Sequence, residues 1–242
     1  MRAYTNYYNN FYKELSKLDA IGNSFQKIKN LLPTLNGDEE FLDIGCGHGS
    51  VSSELIKKGH KVAGIEINED AIKSLKAKGF DVYTKDISKP FQIEKKFDIV
   101  LILDVLEHLF DPCFLLEEAK KATKEKGYII VTVPLYFDIV DRLKILFTGS
   151  VISMDNLCYG EENYKKFRSY NYDHIRFFRP KEMIEMGESL GFKIDRIEYE
   201  ATVYCGKCKL LKLLCRLIVN KYTVKYNPNL FAHSMRIRWS MI

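Results

Sequence analysis

The chain has 242 residues, enough for one substantial hydrophobic core rather than two small ones. Apolar residues at 46% and charged residues at 29% exclude a disordered, collagenous or low-complexity chain. The net charge of +5 is uneven, because residues 201–242 hold eight Lys/Arg and no acid, leaving 29 basic against 32 acidic side chains elsewhere.

Such a basic segment meets an anionic membrane, a phosphorylated ligand or nucleic acid, or is simply a solvated face. No apolar run nears the roughly 18 residues of a bilayer span. The residues after Met1 are polar and Tyr/Asn-rich, unlike a signal peptide. Six scattered cysteines read as reduced thiols. Together these features predict a single cytoplasmic domain over 1–242.

Phe11, Leu15, Leu18 and Ile21 recur at helical spacing, so residues 1–35 read as an N-terminal helical cap. Its Tyr4, Tyr7, Tyr8 and Tyr12 either close over a ligand or pack an amphipathic helix. Short apolar runs then alternate with helical stretches. Strands are expected at Glu40–Ile44, Lys61–Ile67, Phe80–Thr84, Phe97–Leu103 and Gly127–Val133, with helices at Val51–Lys58, Glu69–Lys78 and Pro112–Thr123. Ser50 is the expected cap of the first of these helices. The rhythm breaks at Pro134, and residues 135–173 read as a long irregular insertion or lid. A helix at Pro180–Leu190, a strand at Phe192–Glu200, a basic helical insertion within 203–228 and an alternating run Leu230–Met241 complete the chain.

Strands alternating with helices predict parallel βαβ units in an open, doubly wound α/β sheet, with the ligand crevice at the carboxyl ends of the strands. The most informative stretch lies there: Asp43-Ile44-Gly45-Cys46-Gly47-His48-Gly49-Ser50. Alternating glycines admit positive φ and let a ligand lie against bare backbone. A dinucleotide fingerprint needs G-x-G-x-x-G/A, whereas these glycines stand at every second position. An acid before the first glycine suits an ammonium better than a pyrophosphate, so the loop Gly45, Cys46, Gly47, Gly49 with Asp43 favours a cofactor bearing an amino-acid moiety.

These residues resemble the first motif of the class I S-adenosylmethionine-dependent methyltransferases, and the resemblance extends over about residues 38–134. It implies a Rossmann-like, mostly parallel seven-stranded sheet with an antiparallel last strand and helices on both faces. It implies S-adenosylmethionine as cofactor and S-adenosylhomocysteine as product. Glu66 would hold the ribose hydroxyls with Ile67 beside the adenine, and Asp86 and Ile87 would address the adenine edge. The segment Leu103-Asp104-Val105-Leu106-Glu107-His108 resembles the strand-four signature of small-molecule methyltransferases, including quinone-biosynthesis O-methyltransferases. There Leu103 and Asp104 would meet the methionine portion. The segment lacks the Asn/Asp-Pro-Pro-aromatic motif and the catalytic Pro-Cys of base methyltransferases, which disfavours nucleic acid as a partner.

His108 is either a general base or a structural histidine at a helix start. The stretch His174-Ile175-Arg176-Phe177-Phe178 resembles the acceptor-side segment of quinone- and glycolipid-modifying relatives, which makes His174 a second candidate base. Arg176 is a candidate for an acidic substrate, and at least one of the two phenylalanines is expected in the core. The apolar lid and basic C-terminal helix point to a small-molecule or lipid-like acceptor with peripheral membrane contact, or to a homodimer face. Cys205 and Cys208 lack enough neighbouring ligands for a structural zinc, so no metal is expected. The alternatives are an RNA or protein methyltransferase recruited by the basic segment, or a non-catalytic S-adenosylmethionine-binding module. An NAD oxidoreductase fits least.

Overall fold

In a computed structural model, residues 24–149, 174–201 and 217–241 are described. The tyrosines of the N-terminal cap, most of the insertion after residue 149 and the Cys205–Arg216 stretch lie outside them.

Seven strands form one sheet: β1 (Glu40–Ile44), β2 (Lys61–Glu66), β3 (Asp81–Thr84), β4 (Phe97–Leu103), β5 (Thr123–Pro134), β6 (Phe192–Glu200) and β7 (Ser234–Met241). Their order is β3-β2-β1-β4-β5-β7-β6. The first five run parallel, and β7 is antiparallel to both neighbours, as expected for the last strand. The order reverses at β1, which puts the topological switch point between β1 and β4 and directs the crevice there.

Why these segments form strands is plain from their burial. Leu42, Ile44, Val100, Ile102, Ile129, Val131, Met235, Ile237 and Trp239 are fully buried and pack on one face of the sheet. Phe41, Ile99, Leu101 and Ile130 alternate with them and pack on the other, under Phe25, Ile28 and Leu31. A central parallel sheet covered on both faces needs near-continuous apolar strands, and β4 and β5 supply them.

The helices are α1 (Ser24–Ile28), α2 (Ser50–Lys57), α3 (Glu69–Ala77), α4 (Pro112–Ala122), α5 (Ile139–Thr148), α6 (Pro180–Ser189), α7 (Lys221–Tyr226) and α8 (Pro228–Phe231). Side-chain caps set several starts: Asn68 accepts from the Ala71 N–H, Asp111 from Phe114, and Asp138 from Val140 and Asp141. Three expectations are corrected. Ser50 is the first helical residue of α2, and its cap is Gly49 in the left-handed region without a side-chain cap bond. The start of the insertion is helical, because Asp138 caps α5 and Gly149 closes it with φ 65°. Leu230 and Phe231 belong to α8 rather than the last strand, since Pro228 at the first helical position favours a turn of helix.

Trp239 of β7 stacks on Phe192 with ring centroids 5.4 Å apart and presses against Gly187 of α6. A Cβ on Gly187 would stand 2.5 Å from the indole. Gly187→Ala is therefore expected to cost about 1–3 kcal/mol by overpacking, read from chemical denaturation, even though alanine favours helix elsewhere.

Candidate active site

Each parallel strand ends at the same edge, and each end delivers one piece of the site. After β1 the chain turns through Gly45, Gly47 and Gly49 at φ 72°, 52° and 73°. Added Cβ atoms would meet Val105 at 2.8 Å from Gly45 and Leu75 at 2.5 Å from Gly49, whereas nothing lies within 4 Å of one on Gly47. The outer two glycines thus let the loop pack down, and Gly47 presents open backbone. Cys46 is half-buried with its sulfur against Gly64, and burial pushes its thiol pKa up, away from nucleophilic use.

Glu66, at the end of β2, holds this loop. One oxygen accepts from the Gly47 N–H at 2.8 Å, and the other accepts from Ile67 and Asn68 at 2.8 and 2.9 Å. A carboxylate has lone pairs to spare after three such bonds, so it retains capacity for ligand hydroxyls. Ile67 beside it is 59% exposed, an apolar surface at the crevice that the core does not need. Asp86 follows β3 and is engaged by Ser88 and Lys89, which hold its pKa below the ordinary carboxylate range. Ile87 packs partly buried against the core.

Asp43 sits beneath the loop, 4% exposed, and accepts from the Ser52 hydroxyl at 2.5 Å. Burial, with Glu66 nearby, raises its pKa to about 6. The more open carboxylate at this edge is Asp104, after β4, half-exposed and at φ 54°. Its N–H donates to Thr132 and the Thr132 hydroxyl donates back at 2.8 Å, while Lys27 lies 3.4 Å from its other oxygen. Leu103, just before it, is half-buried at the end of the strand.

Beyond Asp104 a short 3₁₀ turn, Leu106–His108, carries the candidate base His108. His108 and His174 meet edge to face with centroids 4.7 Å apart, although 66 positions separate them in the chain. The pairing is enforced by backbone, because Ile175 and Arg176 N–H groups both donate to the Glu107 carbonyl at 2.8 and 3.0 Å. Arg176 also donates its guanidinium to the Leu109 and Phe110 carbonyls, so it fastens the turn. Phe178 is buried and Phe177 is 44% exposed, one in the core and one at the site. Burial first, then the neighbouring His108, lowers the His174 pKa to about 3, with Asp104 opposing. Glu107, His108 and His174 bring a carboxylate and two imidazoles within 4.8 Å of one another, a juxtaposition that linear spacing did not reveal.

Lys27, Ser52, Thr132 and Tyr136 escaped the sequence reading. Thr132 and Tyr136 lie at or just past the carboxyl end of β5, so the strand-end rule that singled out Glu66 and Asp104 applied to them as well. Lys27 and Ser52 carried no such signal.

The Asp43 shift has a testable sign. A folded pKa of about 6 against 3.8 unfolded means the native state binds the extra proton, so stability falls as pH rises through that window. Asp43→Asn keeps an acceptor for Ser52 and removes the buried charge. Its unfolding free energy, read from chemical denaturation, should match wild type at the acid end and exceed it increasingly towards neutral pH, by up to about 3 kcal/mol. A pH-independent difference between the two proteins would show that Asp43 is not linked to folding.

Residues 17–197 match the family profile described as a methyltransferase domain. A ubiquinone biosynthesis O-methyltransferase from Hydrogenovibrio crunogenus is 26% identical over 214 residues, covering 85% of this chain and 78% of that enzyme. The enzyme of the same description from Pseudoalteromonas translucida is 24% identical over 164 residues, 65% of this chain and 64% of its own length, less than two thirds of that relative. Among solved structures, a SAM-dependent methyltransferase from Archaeoglobus fulgidus aligns over 89% of this chain and 92% of its own, with TM-score 0.57 and 23% identity. Magnesium protoporphyrin IX methyltransferase from Synechocystis, with bound SAH, aligns over 96% and 84% with TM-score 0.54 and 16% identity. The structural likenesses speak for the fold. With the glycine loop and the acid-bearing strand ends, the match over residues 17–197 shows that the chain belongs to the methyltransferase-domain family, among the class I S-adenosylmethionine-dependent methyltransferases.

Proposed function

We propose that the chain transfers a methyl group from S-adenosylmethionine to an oxygen of a small, lipid-like acceptor. The observation that carries the cofactor assignment is the Glu66 carboxylate, fixed by three backbone N–H groups beside the open face of Gly47 and the exposed Ile67. In this reading Glu66 holds the ribose, Ile67 covers one face of the adenine, and Asp86 with Ile87 borders the other edge. Gly45, Cys46, Gly47 and Gly49 supply backbone for the amino-acid end. Leu103 and Asp104 border that end, with Asp104 for the ammonium and Lys27 close enough to take the carboxylate. Asp43 supports the loop from below.

When bound, the cofactor supplies an electrophilic methyl on a sulfonium, so the protein's work is to bind, orient and exclude water. His108 and His174 stand at the acceptor side of Asp104. His108, beside Glu107, is placed to take the acceptor's proton, and the depressed pKa of His174 keeps that ring neutral near neutral pH. An oxygen acceptor accords with the two relatives, both ubiquinone biosynthesis O-methyltransferases. The lipid-like character rests on Phe110, Leu143, Leu146, Phe147 and Phe177, all large apolar side chains exposed along the turn after β4, α5 and the His174 segment. We read residues 1–35 as the cap and 135–173 as the lid of one domain, and the basic 203–228 stretch as its membrane-facing part. No helix among the described residues is long and apolar enough to cross a bilayer.

Glu66→Gln should weaken S-adenosylhomocysteine binding about ten- to a hundredfold, measured by calorimetry, since a charged acceptor contributes roughly 1.5–3 kcal/mol. Unchanged affinity would remove the ribose assignment. The acceptor is to be sought by incubating the protein with isotopically labelled S-adenosylmethionine and fractionated lipid and aqueous extracts, with mass identification of the labelled product.

A further inference from the structure

Tyr136 is the second residue after β5, and its phenol hydroxyl is hydrogen-bonded to Nδ1 of His174. Both partners are held independently of that bond. The Ile175 and Arg176 N–H groups rivet the His174 segment to the Glu107 carbonyl, at 2.8 and 3.0 Å. Leu135 pairs with Phe178 in an isolated parallel bridge, which lays the segment after β5 alongside it. The Tyr136 ring is then packed edge-on by Phe177, at 4.8 Å and 89°, and by Phe137, at 6.0 Å and 61°. Aromatic packing therefore aims the hydroxyl before any hydrogen bond forms.

We propose that Tyr136 is a positioning residue that locks His174 in the tautomer with its proton on Nε2, so that the two histidines of the site are chemically unlike. A neutral imidazole has one donor nitrogen and one acceptor nitrogen, and the partner of one decides the state of the other. A phenol is a better donor than acceptor, and an imidazole nitrogen is among the best acceptors a side chain offers. The Tyr136 O–H thus donates to Nδ1, and the ring's proton stands on Nε2, the nitrogen turned away from Tyr136. His174 then offers an N–H donor to whatever lies beside it, and His108, at 4.7 Å between centroids, is the member of the pair left to accept a proton. The catalytic use of this asymmetry rests on the methyl-transfer reading above; the tautomer itself does not.

The test is nitrogen-15 NMR on full-length protein with labelled histidine. Its five rings are sorted with His174→Gln as the assignment variant. At neutral pH the His174 ring should show one pyrrole-type nitrogen, Nε2, and one well-separated pyridine-type nitrogen, Nδ1. Tyr136→Phe keeps the aromatic packing and removes only the hydroxyl, so its two ring signals should move towards each other as the tautomers average. The reversed pattern in wild type, with the proton on Nδ1, overturns the proposal. So does a His174 spectrum that Tyr136→Phe leaves unchanged. The wild-type spectrum decides the tautomer even if the phenylalanine variant folds poorly. Parallel calorimetry with S-adenosylhomocysteine separates the two readings. Failure of wild type to bind it would strike the cofactor assignment, whereas normal binding with the reversed tautomer would strike only Tyr136.

Discussion

The candidate site depends on one carboxylate reaching across two strand ends. Glu66 leaves β2 and accepts from Gly47, Ile67 and Asn68, which joins the glycine turn after β1 to the start of α3. Parallel pairing of β1 with β2, Ile44 beside Ile65, puts the two ends in register for this. An acceptor with formal charge satisfies three backbone donors that would otherwise face solvent or remain unmet, and such bonds are about twice as strong as neutral ones. The positive φ values of the loop cost little because glycines occupy them. Gly45 and Cys46 N–H groups also bond to the Ile65 carbonyl, at 2.9 and 3.2 Å.

The glycine-loop half of the candidate site was legible because its signals are local. Asp43 through Ser50 is a continuous motif, and Glu66 and Asp104 stand at ends of strands whose apolar runs are unmistakable. The parallel direction of β1–β5 follows from the same alternation, whereas the antiparallel last strand came from the family resemblance. The errors were at boundaries. Asp138 and Gly149 bracket α5 with ordinary capping chemistry, yet the aromatic composition of that stretch read as loop. Apolar Leu230 and Phe231 looked like the start of β7, but Pro228 and Asn227 put them in a helical turn.

The two-histidine half was much less legible, and the reason is physical. His108 and His174 are brought together by two hydrogen bonds to one carbonyl, that of Glu107, which no side-chain pattern encodes. Arg176 has the look of a substrate-binding residue in sequence but spends its guanidinium on the carbonyls of Leu109 and Phe110. Tyr136 matters through its place past a strand end and through the rings of Phe137 and Phe177. In each case a main-chain contact between distant segments, not residue type, decides what the side chain does.

Asp104 and Phe137 are the two residues other than glycine with positive φ among those described, at 54° and 66°. They follow β4 and β5, neighbouring strands, on the same edge of the sheet. Aspartate visits that region with some ease, but a bulky aromatic does so at a cost of roughly 1–2 kcal/mol. The lips of the crevice are thus under backbone tension that the rest of the sheet does not share. Such tension makes these two corners the natural places for the rim to relax or tighten.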